Sequence, residues 1–327
     1  MLINKNILII GNTWDVTKSM FWDKNKENNI DVVYNYNKLK RILGKISDKY
    51  LLSNLPGKSA FFYFRKYNLN KYDLIILFEC HYPQYILQYL RRKNKNAKIV
   101  YWLWNSVENI NSDSCNTVEE IKKLVILQKK YNYSIYSFDK LDCKKYKFKY
   151  NNQVLKIYGI KDKEKKYDTF FCGRDKSRMN ILIELYKQLS KINLNNKFLI
   201  YPDKDKEYSL LEQNFLMEKG INYEQILKYI AESKCIIDIV QEGQGGLTWR
   251  PLEAMFYRKK LITNFKDIKE YDFYKKDNIF IIGEVDPSNI KNFVNTGYVD
   301  IPQNIIKKYT IDGWIENFLY GEKNEKK

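Results

Sequence analysis

One histidine, His81, stands in a chain of 327 residues, alongside six prolines, 13 glycines and five cysteines. A single imidazole excludes the histidine-rich metal sites that hold zinc or non-haem iron. The cysteines, Cys80, Cys115, Cys143, Cys172 and Cys235, are odd in number, widely separated and form no Cys-x-x-Cys pair. A zinc ribbon or disulfide framework is therefore not expected, and a reducing compartment is. Long apolar runs are also missing. "NILIIG" near the start is too short for a signal peptide, and no stretch approaches the ~20 residues needed to cross a bilayer. These absences lead us to expect a cytoplasmic protein, at most peripheral on the inner face of the plasma membrane.

Acidic residues are the scarcer charge: 39 against 57 lysines and arginines, a formal net charge of +18. A surplus of that size favours anionic partners such as nucleic acid, an acidic membrane surface or a phosphorylated ligand. The lysines are spread through "KNKEN", "RRKNKNAK", "KKYKFK" and "KDKEKK", so most read as solvated surface. With no zinc finger, RNA-recognition signature or concentrated basic block, nucleic acid is not the expected partner. A nucleic-acid-binding protein using this basic surface is the alternative class, and steep salt dependence of binding would mark it.

What is present is a regular alternation. "NILIIG" (6–11), "DVVYN" (31–35), "YDLIILFE" (72–79), "AKIVYWLW" (97–104) and "YSIYSF" (133–138) read as strands separated by helix-length segments. One such helix starts at Pro83, and another opens with the capping-box pair Thr117 and Glu120. The charged segment "KDKEKKYD" interrupts the alternation, which restarts with "TFFCG", "KFLIY", "CIIDIV", "KLITN" and "IFIIG". The expected fold class is α/β, with two Rossmann-like, doubly wound domains over residues 1–158 and 168–300. Residues 301–327 are expected to form a terminal helix that packs back on the first domain.

Ligands of open parallel sheets bind beyond the carboxyl ends of the strands, so the residues just after each strand carry the chemistry. "FFCGRDKSRMNIL" puts Arg174, Lys176 and Arg178 after Gly173 at a helix start, a cradle suited to a diphosphate. "GQGGLTWRPLEAM" (243–255) places glycines before a helix that carries Glu253 in its first turn. Glycine lets backbone approach a ligand closely. Glu253 could hold a ribose diol, but a carboxylate there also suits the helix dipole without any ligand. In the first half, Asn12 and Asp15 follow one strand, Glu79 and His81 another, and Asn105 and Ser106 a third. Asp15, Glu79 or His81 could act as a base, and a satisfied structural histidine is an equal reading of His81. Trp102 and Trp104 read as core before they read as sugar-stacking platforms. "ILIIGNTWD" lacks the dinucleotide fingerprint, having only Gly11. The Asp-Lys-Asp of "PDKD" (202–205) matches a metal-binding pattern of a different fold and is set aside.

"GLTWRPLEAMFYRKKLITN" resembles the nucleotide-sugar-binding segment of GT-B glycosyltransferases, and "FFCGRDKSR" is similar to the stretch that opens their donor domain. "YNYSIYSFDKLDCKKYKFKY" resembles the segment that closes the acceptor domain in bacterial capsule, lipopolysaccharide and exopolysaccharide enzymes. The resemblance covers most of residues 168–285, and the first half by architecture only. It implies two domains facing across a cleft and transfer of a sugar from a nucleotide sugar to a glycan or polyprenyl- or lipid-linked acceptor, with no metal or other cofactor. It also implies that Glu253 holds the donor ribose, that Arg174 with Lys176 or Arg178 stabilises the diphosphate, and that Leu247 and Thr248 offer amides to it. The sequence departs from that pattern where an earlier glutamate is usual: Gly245 stands there, flanked by Gln244 and Gly246, with Glu242 further back. Arg250 is a second unusual residue, facing phosphate or pairing with an acid. A sugar-nucleotide epimerase on the same double-Rossmann plan is a further alternative, separated by product analysis without acceptor.

Overall fold

Apolar, β-branched runs become strands buried on both faces, as a parallel sheet covered by helices requires. The computed structural model describes residues 5–11, 15–24, 27, 29–34, 64, 66–80, 83–107, 117–161, 163–204, 206–241 and 243–321. The chain divides into two compact units, Met1–Asn152 with Trp314–Lys327, and Gln153–Gly313. The charged segment at 158–167 thus lies inside the second unit.

The first unit holds β1 (Ile7–Gly11), α1 (Asp15–Phe21), β2 (Ile30–Tyr34), β3 (Leu74–Phe78) and α2 (Pro83–Lys93). It continues with β4 (Lys98–Leu103), α3 (Val118–Tyr131), β5 (Ser134–Ser137), α4 (Lys140–Tyr146) and β6 (Lys149–Tyr150). The strands are all parallel, in the order β2-β1-β3-β4-β5-β6. β1 and β3 are buried at every position, which is why "ILIIG" and "LIILF" carry no polar side chain. α3 opens on the expected capping box: the Thr117 side chain accepts from the Glu120 amide and Glu120 reaches back to the Thr117 amide.

The second unit holds β7 (Tyr167–Arg174), α5 (Met179–Lys191), β8 (Asn196–Tyr201), α6 (Leu210–Gln213), α7 (Tyr223–Ala231) and β9 (Ser233–Asp238). After these come α8 (Trp249–Phe256), β10 (Lys260–Thr263), β11 (Ile279–Ile281), α9 (Ile290–Asn295) and α10 (Gln303–Lys308). Its sheet is again parallel, in the order β11-β10-β9-β7-β8.

In both sheets the first strand has the second on one side and the third on the other. That order places the topological switch points between β1 and β3 and between β7 and β9, where crevices open for ligands. The last helix, α11 (Ile311–Tyr320), crosses the unit boundary. Its Trp314 is fully buried in the first unit against Phe21, Phe78, Trp102 and Phe318, with ring centroids 4.7–6.2 Å away. Trp102 is therefore core, and Trp104 packs edge-on against Phe78 at 4.6 Å.

Candidate functional site

At the β1/β3 switch point, Asp15 begins α1, and its side chain, like Asn12 and His81, lies outside the described residues. Glu79 follows β3 directly, with a left-handed φ of 40° that non-glycine residues rarely adopt. Its buried carboxylate accepts from the amides of Trp104 at 2.9 Å and Asn105 at 3.2 Å, and from the Asn105 side chain at 3.0 Å. Glu79 thus braces the backbone beyond β4 against the end of β3.

At the β7/β9 switch point the basic stretch is drawn together, though not as a simple fan of cations. Gly173 and Arg174 end β7, and a methyl group on Gly173 would meet the Phe171 ring at 3.3 Å. Arg174 is exposed, its guanidinium 5.0 Å from the centre of the Tyr201 ring. Lys176 and Ser177 both take left-handed backbone, φ 45° and 62°, which turns the chain sharply before α5. Arg178 is half-buried and donates to the carbonyls of Asp175, Ile239 and Arg174. It laces the ends of β7 and β9 together. Burial lowers its pKa, offset by Asp238, Asp175 and Asp203.

The sequence reading missed Asp175. Fully buried, it accepts from the Met179 amide at 2.8 Å, so a carboxylate already occupies the start of α5, where a phosphate cradle was expected. Its second oxygen accepts from Lys206 at 2.5 Å and Tyr208 at 2.9 Å, both in the segment after β8. Burial pushes this carboxyl up, but the Lys206, Tyr208 and Met179 hydrogen bonds outweigh it and hold it below the usual range. A lowered folded-state pKa adds stability above the unfolded value, about pH 4, that is lost as pH falls through the folded value. Asp175→Asn is accordingly expected to be less stable than the parent at neutral pH, with the gap narrowing in acid. Urea titrations at neutral and acidic pH check this, and a gap that does not change with pH would count against it.

The stretch after β9 forms a second wall. Gly243 supplies the left-handed turn, φ +78°. Gly245, Gly246 and Leu247 are buried, and the Gln244 side chain donates to the Gly246 carbonyl. Thr248 caps α8, its hydroxyl accepting from the Arg250 amide and donating to Asp238 at 2.8 Å. The amides of Gly246, Leu247 and Thr248 find no acceptor among the described residues; for Gly246 and Leu247, which are buried, that is uncommon in a folded protein. Asp238, the last residue of β9, is buried, which raises its pKa against the pull of Thr248, Arg178 and Arg250. It too was missed, although a lone acid closing an apolar strand was the available signal.

Glu253 is fully buried, and its oxygens accept from the Tyr223 hydroxyl at 2.9 Å and from Arg250. Arg250 therefore pairs with an acid one helical turn away. Burial works against the Arg250 charge, but Glu253 outweighs it and holds the guanidinium above its usual range. Burial also raises the Glu253 carboxyl, opposed by Arg250 and Tyr223. Tyr223, at the start of α7, was not anticipated, since nothing local ties it to Glu253. Glu242 and Asp205 lie outside the described residues. Among those described, no group of three or more His, Cys, Asp or Glu stands together as a metal site, and no helix is long and apolar enough to cross a membrane.

Two parallel sheets with flanking helices, each opening at a β-strand switch point, have the α/β two-domain architecture of the GT-B fold. No protein-family model and no curated protein matches the chain. Among solved structures it is similar to the sucrose-phosphate synthase of Thermosynechococcus elongatus, at a TM-score of 0.54 and 11% identity over 99% of this chain and 98% of that one. It is also similar to TarM, at a TM-score of 0.50 and 17% identity over 75% of this chain. The match spans about half of TarM, 54% of its length. Both are GT-B glycosyltransferases, and at these identities the likeness is one of fold.

Proposed function

We propose that the chain is a glycosyltransferase that moves a sugar from a nucleotide sugar to a glycan or lipid-linked acceptor in bacterial surface polysaccharide synthesis, without a metal. The observation that carries this reading is the set of amides at Gly246, Leu247 and Thr248 that find no acceptor among the described residues. They lie at the β7/β9 switch point of a GT-B fold. A diphosphate is the ligand chemistry that such amides accept. Arg174 and Lys176 add positive charge from the opposite wall, meeting the charge that develops as the sugar–phosphate bond breaks. Arg178 contributes by holding the two strand ends at the right spacing.

Glu253 takes the donor ribose only after Arg250 turns from it toward the diphosphate, which releases one carboxylate oxygen for the diol. The acceptor hydroxyl is activated at the β1/β3 switch point, with Asp15, Glu79 and His81 as the candidate bases. Basic surface charge favours an anionic membrane face for a lipid-linked acceptor.

A panel of nucleotide sugars tests the proposal through hydrolysis, transfer and thermal stabilisation. One donor is expected to raise the melting temperature and be turned over, and Arg174→Ala should reduce turnover roughly 100-fold, as for loss of one charge-stabilising donor. No response to any donor would defeat the reading.

A further inference from the structure

The second unit has another opening, at the amino-terminal ends of the strands and so at the opposite end of its sheet from the proposed donor site. A cavity of about 650 Å³ lies where β9 and β10 begin and where α8 and α9 end. That volume is in the range of small-molecule sites, about 300–1,000 Å³. Five cations line it, Lys165, Lys234, Arg258, Lys259 and Lys260, and among the described residues no carboxylate does. Lys234 is balanced from outside the cavity by Asp168 at 2.8 Å, and Arg258 by Asp300.

The two inner lysines differ from those at the rim. Lys259 and Lys260 are only 4% and 3% exposed. Lys259 donates to the Ala231 carbonyl at 3.2 Å. Lys260 donates to the Asp277 carbonyl at 3.0 Å and to the Thr296 hydroxyl, and sits 4.4 Å from the centre of the Phe293 ring. Among the described residues no carboxylate hydrogen-bonds Lys260, and burial pulls its pKa down. Burying an ammonium against neutral partners is costly, and a bound anion is what relieves it.

We propose that this cavity binds a phosphate-bearing ligand, a phosphomonoester or diphosphate, held by Lys259 and Lys260 inside and by Lys165, Lys234 and Arg258 at the rim. The site is independent of the donor reading: α8 starts beside one and ends beside the other, and its eight residues span about 12 Å.

Hydrogen exchange resolved by peptide, with inorganic pyrophosphate as the probe, reads the two sites separately. Protection is expected at 256–260 and 294–298, whatever happens at 174–178 and 245–253. Lys260→Met keeps the apolar stem, removes the charge and should abolish that protection. Should that variant not fold, Lys234→Gln with Arg258→Gln acts only at the rim and should weaken binding about tenfold, or ~1.4 kcal/mol. Absence of protection in the parent protein, or protection that survives every folded variant, overturns the proposal. Flotation with phosphatidylglycerol and phosphatidylcholine vesicles separates the sources. Capture by the first alone, lost in the rim variant, assigns a lipid headgroup, and pyrophosphate protection without capture assigns a soluble phosphate ester.

Discussion

Glu253→Ala is expected to destabilise the second unit by about 3–5 kcal/mol, the cost of leaving a buried guanidinium without its carboxylate. Against a total stability of about 5–15 kcal/mol, that is a large share. The cause is local: Arg250 and Glu253 share one turn of α8, and Glu253 is fully buried with Tyr223 on its other oxygen. Urea denaturation of the parent and the variant measures the effect. The double variant Arg250→Met, Glu253→Leu removes both charges into a packed environment and should regain most of the loss. On the proposed function it regains no donor turnover, because the ribose ligand and a diphosphate cation are both gone. An unchanged midpoint in Glu253→Ala would mean that Arg250 escapes to solvent, which its place beside Cys172 and Tyr223 argues against.

Trp314→Ala should cost the first unit about 3–5 kcal/mol, the usual penalty for emptying a large aromatic site in a core. Trp314 meets four aromatic rings, including Phe78 of β3 and Trp102 of β4, and has no exposed surface. Trp249 is the one tryptophan within Gln153–Gly313, so tryptophan fluorescence reports chiefly on the first unit. The expected result is an earlier fluorescence transition in urea, with secondary-structure loss from the second unit left in place. A single transition at the parent midpoint would refute it.

Strands and major helices were legible because their signals are local. An unbroken apolar run such as "LIILF" can only be a covered strand here, and Thr117 with Glu120 marks a helix start within four residues. The short α4, α6 and α10 were not read, being four to seven residues long with little room for periodicity. The candidate site was legible in its position after β7 and β9, since strand ends are visible in sequence. Its internal wiring was not. Asp175 reaching Lys206, Asp238 reaching Thr248, and Tyr223 reaching Glu253 are separated by 31, 10 and 30 positions, and no local pattern announces them. Arg178 looked like a free cation in the sequence, but the structure spends it on three carbonyls.

The return of α11 to the first unit sets an order of events during biosynthesis. Every residue of Gln153–Gly313 has left the ribosome before Trp314, Ile315 and Phe318, all fully buried, become available to the sheet begun at Ile7. Multidomain chains ordinarily complete their amino-terminal domain first. Here the unit begun first is closed only after the second has been made, and until α11 emerges Phe78 and Trp102 await the Trp314 ring that packs on them. Gly313, the third residue of α11, has no room for a side chain against the Lys307 carbonyl, so its missing side chain lets α11 start close behind α10 and bring Trp314 to that core.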